Sequence, residues 1–388
     1  MVEETLSAFT DAYATILNIS EKHMQLLIEK FKNELLLATN LLRNVRENNG
    51  YIHIAGAGRS KIAGEIFGEL LKNLGFNVST IGDTLSKPVR KNDVIIAVSS
   101  SGWTTTTLFA VEQSLKIGAK IIGLTATFGS KLDRLADITI PLPGKPNIDE
   151  TPYIVRQMMG RHKTPLTPMG TVSEINTILI GIGITSMLRN IENSVDAFRD
   201  SLKKIFSEAK ENYKLLSKID NIINDFIAEI SKGIENKNKK YFLIGLGICD
   251  KISQMSAMRY QHLSLNVQPI DNWRFRESSD VLIAISGSGE NPYILLYAEE
   301  AKRSKMKVLS LTANENSTLT SLSDVSIVFK DISLREDYVK LRVGEETKIF
   351  LPIFEVISLL FLESTVAQVA EKYQISEEIM RAMHANVE

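Results

Sequence analysis

The chain repeats itself. Asp93-Val-Ile-Ile-Ala-Val-Ser-Ser-Ser-Gly102 lies over Asp280-Val-Leu-Ile-Ala-Ile-Ser-Gly-Ser-Gly289, a shift of 187 positions. The same shift places Gly123-Leu-Thr-Ala126 over Ser310-Leu-Thr-Ala313, and Leu132-Asp-Arg-Leu-Ala-Asp137 over Leu319-Thr-Ser-Leu-Ser-Asp324. Upstream, Tyr51 to Gly58 matches Tyr241 to Gly247 with a slightly different shift, as a loop insertion would produce. Two domains of one fold follow, over 1–192 and 193–388, each long enough to bury its own core.

Within each unit, short apolar runs alternate with helical periodicity. In the first, Tyr51 to Ala55, Asn77 to Ile81, Val94 to Ser99, Lys120 to Thr125 and Ile138 to Leu142 read as strands, β-branched and bounded by Gly, Asp or Pro. Lys61 to Leu74 and Thr104 to Ile117 read as helices that stop at Gly75 and Gly118. This alternation predicts a parallel sheet with helices on both faces. Long charge-rich helices precede each first strand, Ser20 to Glu47 and roughly Ile191 to Asn236. Ile175 to Leu188 and Ile349 to Leu362 are apolar but interrupted by Asn176, Pro352 and Glu355, and read as buried helices rather than membrane spans.

With 45 Lys+Arg against 46 Asp+Glu the net charge is −1, which gives no basic surplus for nucleic acid. Cys249 is the single cysteine, and no Cys/His run has metal-ligand spacing. The amino terminus lacks the basic start and apolar stretch of a secretory signal. A cytoplasmic protein with neither metal nor cofactor is the expectation.

In open parallel sheets, ligands sit beyond the carboxyl ends of the strands, where the next helix presents its free amides. Ser99, Ser100, Ser101, Gly102 and Thr104 occupy that place after Val98. Hydroxyls and amides at a positive helix end form a cradle for a phosphate dianion. Ser286, Ser288 and Asn291 are the equivalents in the second half, with Asn291 where the first has threonine. Gly56-Ala57-Gly58-Arg59-Ser60 follows the first strand but is not a dinucleotide fingerprint, because Lys61 stands where the third glycine is needed. Gly58, Arg59 and Ser60 instead offer a second set of contacts to a phosphorylated ligand.

Gly56-x-Gly-Arg-Ser60, Leu74-Gly-Phe76, Ile81-Gly-Asp-Thr84, Ser99-x-Ser-Gly-x-Thr104 and Thr164-Pro-Leu-Thr-Pro-Met-Gly-Thr171 with Glu174 together resemble the sugar isomerase (SIS) domain. In the first half they look most like the 6-phospho-3-hexuloisomerases, while residues 241 to about 330 resemble a generic SIS domain. Tandem chains of this kind are similar to the isomerase half of glucosamine-6-phosphate synthase and to the phosphoglucose/phosphomannose isomerases. The resemblance implies a flavodoxin-like three-layer fold with five parallel strands per domain, a sugar phosphate ligand and pairing of SIS domains into a homodimer. Two departures are visible: Leu70 and Asn73 stand where the hexuloisomerases carry Arg and His, and Ser173 precedes Glu174 where they carry Phe.

Moving one proton between adjacent carbons of an aldose or ketose phosphate needs a single carboxylate. Glu174, after the Pro168-Met-Gly-Thr171 turn and at the start of a buried helix, is the first candidate; His162 is a candidate proton shuttle. His53 and His262 read as packing histidines. Glu290, Glu345 and Glu346 are available carboxylates in the second half that no turn motif aims. A phosphosugar sensor without catalysis and an aminosugar-phosphate deaminase are the alternatives to an isomerase.

Overall fold

The structure is a computed structural model that describes residues 6–144, 167, 170–190, 194–330 and 351–383. His162, Glu345 and Glu346 lie outside the described residues.

Each repeat folds as an open, all-parallel sheet. In the first, β1 (Tyr51–Gly56), β2 (Asn77–Thr80), β3 (Val94–Val98), β4 (Lys120–Thr125) and β5 (Ile138–Pro141) are ordered β2-β1-β3-β4-β5. In the second, β6 (Lys240–Ile244), β7 (Asn266–Gln268), β8 (Val281–Ile285), β9 (Lys307–Thr312) and β10 (Val325–Val328) are ordered β7-β6-β8-β9-β10, the same topology. This is the flavodoxin-like order, in which the chain reverses direction across the sheet between β1 and β3, and again between β6 and β8. A crevice opens beyond the strand ends at that reversal. Every residue of β3 and of β8 is buried, as central strands covered on both faces require.

The helices are α1 (Ser7–Lys30), α2 (Lys32–Glu47), α3 (Gly58–Asn73), α4 (Thr105–Ile117), α5 (Lys131–Leu135), α6 (Thr171–Arg189), α7 (Ser194–Leu216), α8 (Asp220–Glu235), α9 (Ile248–His262), α10 (Pro292–Arg303), α11 (Thr318–Leu322) and α12 (Ile353–Lys372), with a short α13 (Glu377–Ala382). The expected helix over 20–47 begins earlier, at Ser7, and breaks at Phe31. No glycine or proline marks that break, so periodicity alone runs through it. The segment 191–236 is likewise two helices, α7 and α8. Of the described residues, 17–144 and 170–204 form one compact unit with the first sheet, and 6–16, 205–330 and 351–383 form another with the second.

α6 and α12 are each long and apolar enough to cross a membrane, but 94% of each apolar window is buried inside the fold. α6 packs on α3 and α12 on α9, so each supplies one layer of its own unit. An apolar helix with no polar stripe is stable in water only when surrounded in this way.

The aspartates that head the repeated strands explain why the pattern occurs twice. Asp93 accepts from the Tyr51 and Arg90 backbone N–H groups at 2.9 and 2.8 Å, and Asp280 accepts from those of Lys240 and Glu277 at 2.8 and 2.7 Å. Each buried carboxylate thus ties the foot of a central strand to its neighbour. Asp137 and Asp324 repeat the device one strand further on, accepting from Ile121 and Val308 N–H at 2.8 Å. His53 is wholly buried against Asp93, Nε2 to Oδ2 3.2 Å, and burial lowers its pKa against the opposing pull of that carboxylate. His262 is buried beside Arg259, 3.4 Å away, so both histidines are packing groups of the scaffold.

Candidate functional site

After Val98 the chain turns through Ser99 to Thr104 into α4. Ser99 Oγ accepts from the Gly102 N–H at 3.1 Å and lies 2.9 Å from Thr104 Oγ1. Ser101 is exposed and its Oγ accepts from the Trp103 N–H at 3.2 Å. Gly102 makes the turn possible: its φ is +69°, and a Cβ there would collide with the side chains of Ser130 and Thr125. Thr104 is the N-cap of α4, yet its side chain accepts no bond from the helix. The first-turn amides therefore carry no side-chain cap. Thr107, in that same first turn, is buried with its hydroxyl unpartnered.

α3 begins at Gly58, beside this loop at the end of β1. Arg59 is buried, and its Nε donates to Glu174 Oε2 at 2.6 Å. Ser60, next in the first turn, is partly exposed. Glu174 is itself buried in the first turn of α6, with Gly170 against its other oxygen. The expected phosphate contact and the expected base are thus partners in one ion pair.

A second link fastens the serine loop to the same helix. Ser173 Oγ donates to the Pro143 carbonyl at 2.8 Å and lies 2.9 Å from Ser100 Oγ. Since a hydroxyl has one proton, Ser100 must donate to Ser173, leaving its own oxygen as an acceptor. Sequence reasoning named Ser173 only as a departure from a motif; its partner Pro143 lies 30 residues away, and nothing in the local pattern signals the contact.

The second unit builds the same turn with different occupants. Ser286 and Ser288 Oγ accept from the N–H groups of Gly289 and Glu290, each at 3.2 Å, and Gly289 has φ +65°. Asn291, expected to contact ligand, instead caps its own helix: Oδ1 accepts from Tyr293 and Ile294 N–H at 3.0 and 3.3 Å. Glu290 accepts from the Thr318 N–H and hydroxyl at 2.8 and 2.9 Å. Where Ser60 stands in the first repeat, the second has Cys249, whose thiol donates to Glu355 Oε1 at 3.8 Å. Glu355 sits in the first turn of α12, as Glu174 does in α6, but with a thiol opposite it in place of a guanidinium. Burial pushes its carboxyl up to about 7. Its sequence signal was the lone acid in an apolar run, just after Pro352.

Two doubly wound sheets, each with a hydroxyl-rich turn at the reversal point, define a tandem α/β protein. The chain belongs to the SIS domain family, whose model matches residues 45–160 and 234–330, more than half its length. It is 35% identical over 144 residues to an uncharacterised protein of Aeropyrum pernix, covering 37% of this chain and 68% of that one. It is 29% identical over 168 residues to the 3-hexulose-6-phosphate isomerase of Methylomonas aminofaciens, covering 40% of this chain and 83% of that one. Among solved structures, the tagatose-6-phosphate ketose/aldose isomerase of Escherichia coli shares the fold, with TM-score 0.61, 14% identity and coverage of 98% and 97%.

Proposed function

We propose that the first unit binds a sugar phosphate in the Ser99–Thr104 turn and isomerises it with Glu174 as the base. The observation that carries this reading is the Ser100–Ser173 bond, which puts the serine turn and the Glu174 segment at one end of one sheet. The amides of α4 and the hydroxyls of Ser99, Ser101 and Thr104 would hold the dianion. Glu174 would then remove the proton from the carbon beside the carbonyl, giving an enediolate, and return it to the neighbouring carbon. Arg59 would hold the carboxylate in place through its Nε–H bond to Oε2. The family membership and a relative named 3-hexulose-6-phosphate isomerase favour a hexose or hexulose 6-phosphate as substrate.

The test is NMR in deuterated water with hexose and hexulose 6-phosphates. Interconversion with deuterium entering the product at carbon is the expected result, and absence of both from every compound tried would refute the reading. Glu174→Gln is expected to keep binding and lose about 10²- to 10⁴-fold in turnover, the range for a positioned base.

One observation favours a second reading, a phosphosugar sensor. The Arg59–Glu174 pair is buried and short, so the carboxylate could serve only to fix the helices. Thermal stabilisation by a sugar phosphate with no deuterium exchange would select it.

A further inference from the structure

The second sheet closes its outer edge and the first does not. β2 and β7 are edge strands, each paired with one neighbour, β1 or β6. Val78 faces Ile52 in register as Val267 faces Tyr241, so Val78 and Val267, Thr80 and Pro269, and Lys72 and Gln261 hold corresponding positions. At β7 the Val267 N–H donates to the Leu265 carbonyl at 3.0 Å, and the Gln261 side chain donates to the Val267 carbonyl at 3.4 Å. Pro269 has no N–H to offer. Such devices keep an edge from recruiting a further strand.

At β2 none of the three is present. Ile81 donates to the Ile54 carbonyl at 2.9 Å, so by the alternation of a parallel ladder the backbone groups of Val78 and Thr80 point away from β1. Among the described residues, the Val78 N–H and carbonyl have no partner beyond the sheet. Lys72 turns to Glu69, 2.8 Å away, rather than to the strand. A cleft of about 440 Å³ lies along this edge. Five consecutive residues, Phe76 to Thr80, line it, whereas a cleft on a face of the sheet would meet every second one. Its far wall is Leu85 to Lys87, clamped by the bond from the Lys87 N–H to Ser79 Oγ at 2.8 Å. Leu85 is exposed on that wall. Asp83, which also lines the cleft, is neutralised by Lys61 at 2.7 Å, while the Lys87 ammonium has no partner among the described residues. The uncompensated charge of the cleft is therefore positive.

We propose that the outer edge of β2 is a docking site for an extended acidic segment of a partner protein, which adds a sixth strand to the first sheet. Main-chain bonds to Val78 and Thr80 supply the affinity, and Lys72 and Lys87 the preference for carboxylates. The four residues of β2 offer about 13 Å of edge, enough for a short segment of partner strand. A second copy of this chain fits less well, because edge-to-edge pairing sets its lysines against these. The site is independent of catalysis at the Ser99–Thr104 turn.

The probes are two fluorescein-labelled peptides, Glu-Val-Glu-Val-Glu-Val and Lys-Val-Lys-Val-Lys-Val, titrated with the full chain and followed by fluorescence anisotropy. The acidic peptide is expected to bind with Kd below about 1 mM and the basic one at least about tenfold more weakly. Thr80→Pro puts the second repeat's own residue at this position and removes an outward N–H; Lys87→Glu reverses an exposed charge. Each is expected to weaken the acidic peptide by about tenfold. In the unsubstituted protein, the acidic peptide should slow amide exchange at Val78 and Thr80, a reading that no variant's folding can confuse. Equal binding of the two peptides overturns the proposal, as does no binding of the acidic one up to about 1 mM, or exchange at Val78 and Thr80 unchanged when it is bound. Self-association in sedimentation that Thr80→Pro abolishes would assign the edge to a second copy and overturn the acidic partner.

Discussion

Gly102 and Gly289 hold the two turns open by lacking a side chain. Each has positive φ, and in each case a Cβ would strike the serine that caps the following short helix, Ser130 or Ser317. Gly102→Ala and Gly289→Ala are each expected to destabilise their own unit by about 1–3 kcal/mol, from backbone strain plus the clash, as measured by thermal unfolding. Only the first should also weaken sugar phosphate binding. At Ser173 the expectation is smaller. Ser173→Ala frees the Ser100 proton and leaves the Pro143 carbonyl without that donor, so about 1 kcal/mol of stability should be lost, and under the proposed mechanism KM should change more than kcat. A purely structural serine would leave KM alone.

At the scale of elements, the sheet order and the serine turns were legible because they depend on short-range pattern. A β-branched run headed by aspartate and followed by Ser-x-Ser-Gly specifies strand, staple and turn within ten residues. The pairing of Arg59 with Glu174 was not legible, because both residues had plausible separate roles and only the packing of α6 on α3 brings them together. The capping role of Asn291 was not legible for a related reason. An amide at a helix start suits a ligand and a cap equally, and Pro292 after it is the sign that favours the cap. Each pair of core helices also encloses one buried Arg–Glu pair: Arg59 with Glu174 at the strand ends, and Arg259 with Glu363 about three turns deeper in α9. Removing one member of the deep pair, as in Arg259→Met, should cost about 3–5 kcal/mol, while adding Glu363→Leu should restore most of it. Urea unfolding of the single and double variants checks this.

For the molecule as a whole, the two units are expected to answer pH in opposite directions. In the second, the folded Glu355 carboxyl titrates at about 7 against an ordinary 4.5. It keeps a proton that the unfolded chain releases, so its contribution is full below about 4.5 and is lost as pH rises through 7. In the first, His23 is buried and donates from Nε2 to the Pro141 carbonyl at 2.9 Å, and burial lowers its pKa from 6.5 to about 4. There the unfolded chain takes up the proton first, so stability is present above 6.5 and lost as pH falls through 4. Each effect amounts to at most about 3–4 kcal/mol at 1.36 kcal/mol per pH unit. Amide exchange followed separately in the two units between pH 4.5 and 7 should show protection rising in the first and falling in the second, with Glu355→Gln abolishing the fall. The aspartates at the foot of both sheets carry a different consequence. Because Asp93 and Asp280 anchor the strands from the end remote from the turns, the six residues 99–104 and 286–291 are modular inserts on a common chassis. A chimaera in which 286–291 is rewritten as Ser-Ser-Ser-Gly-Trp-Thr should therefore still fold.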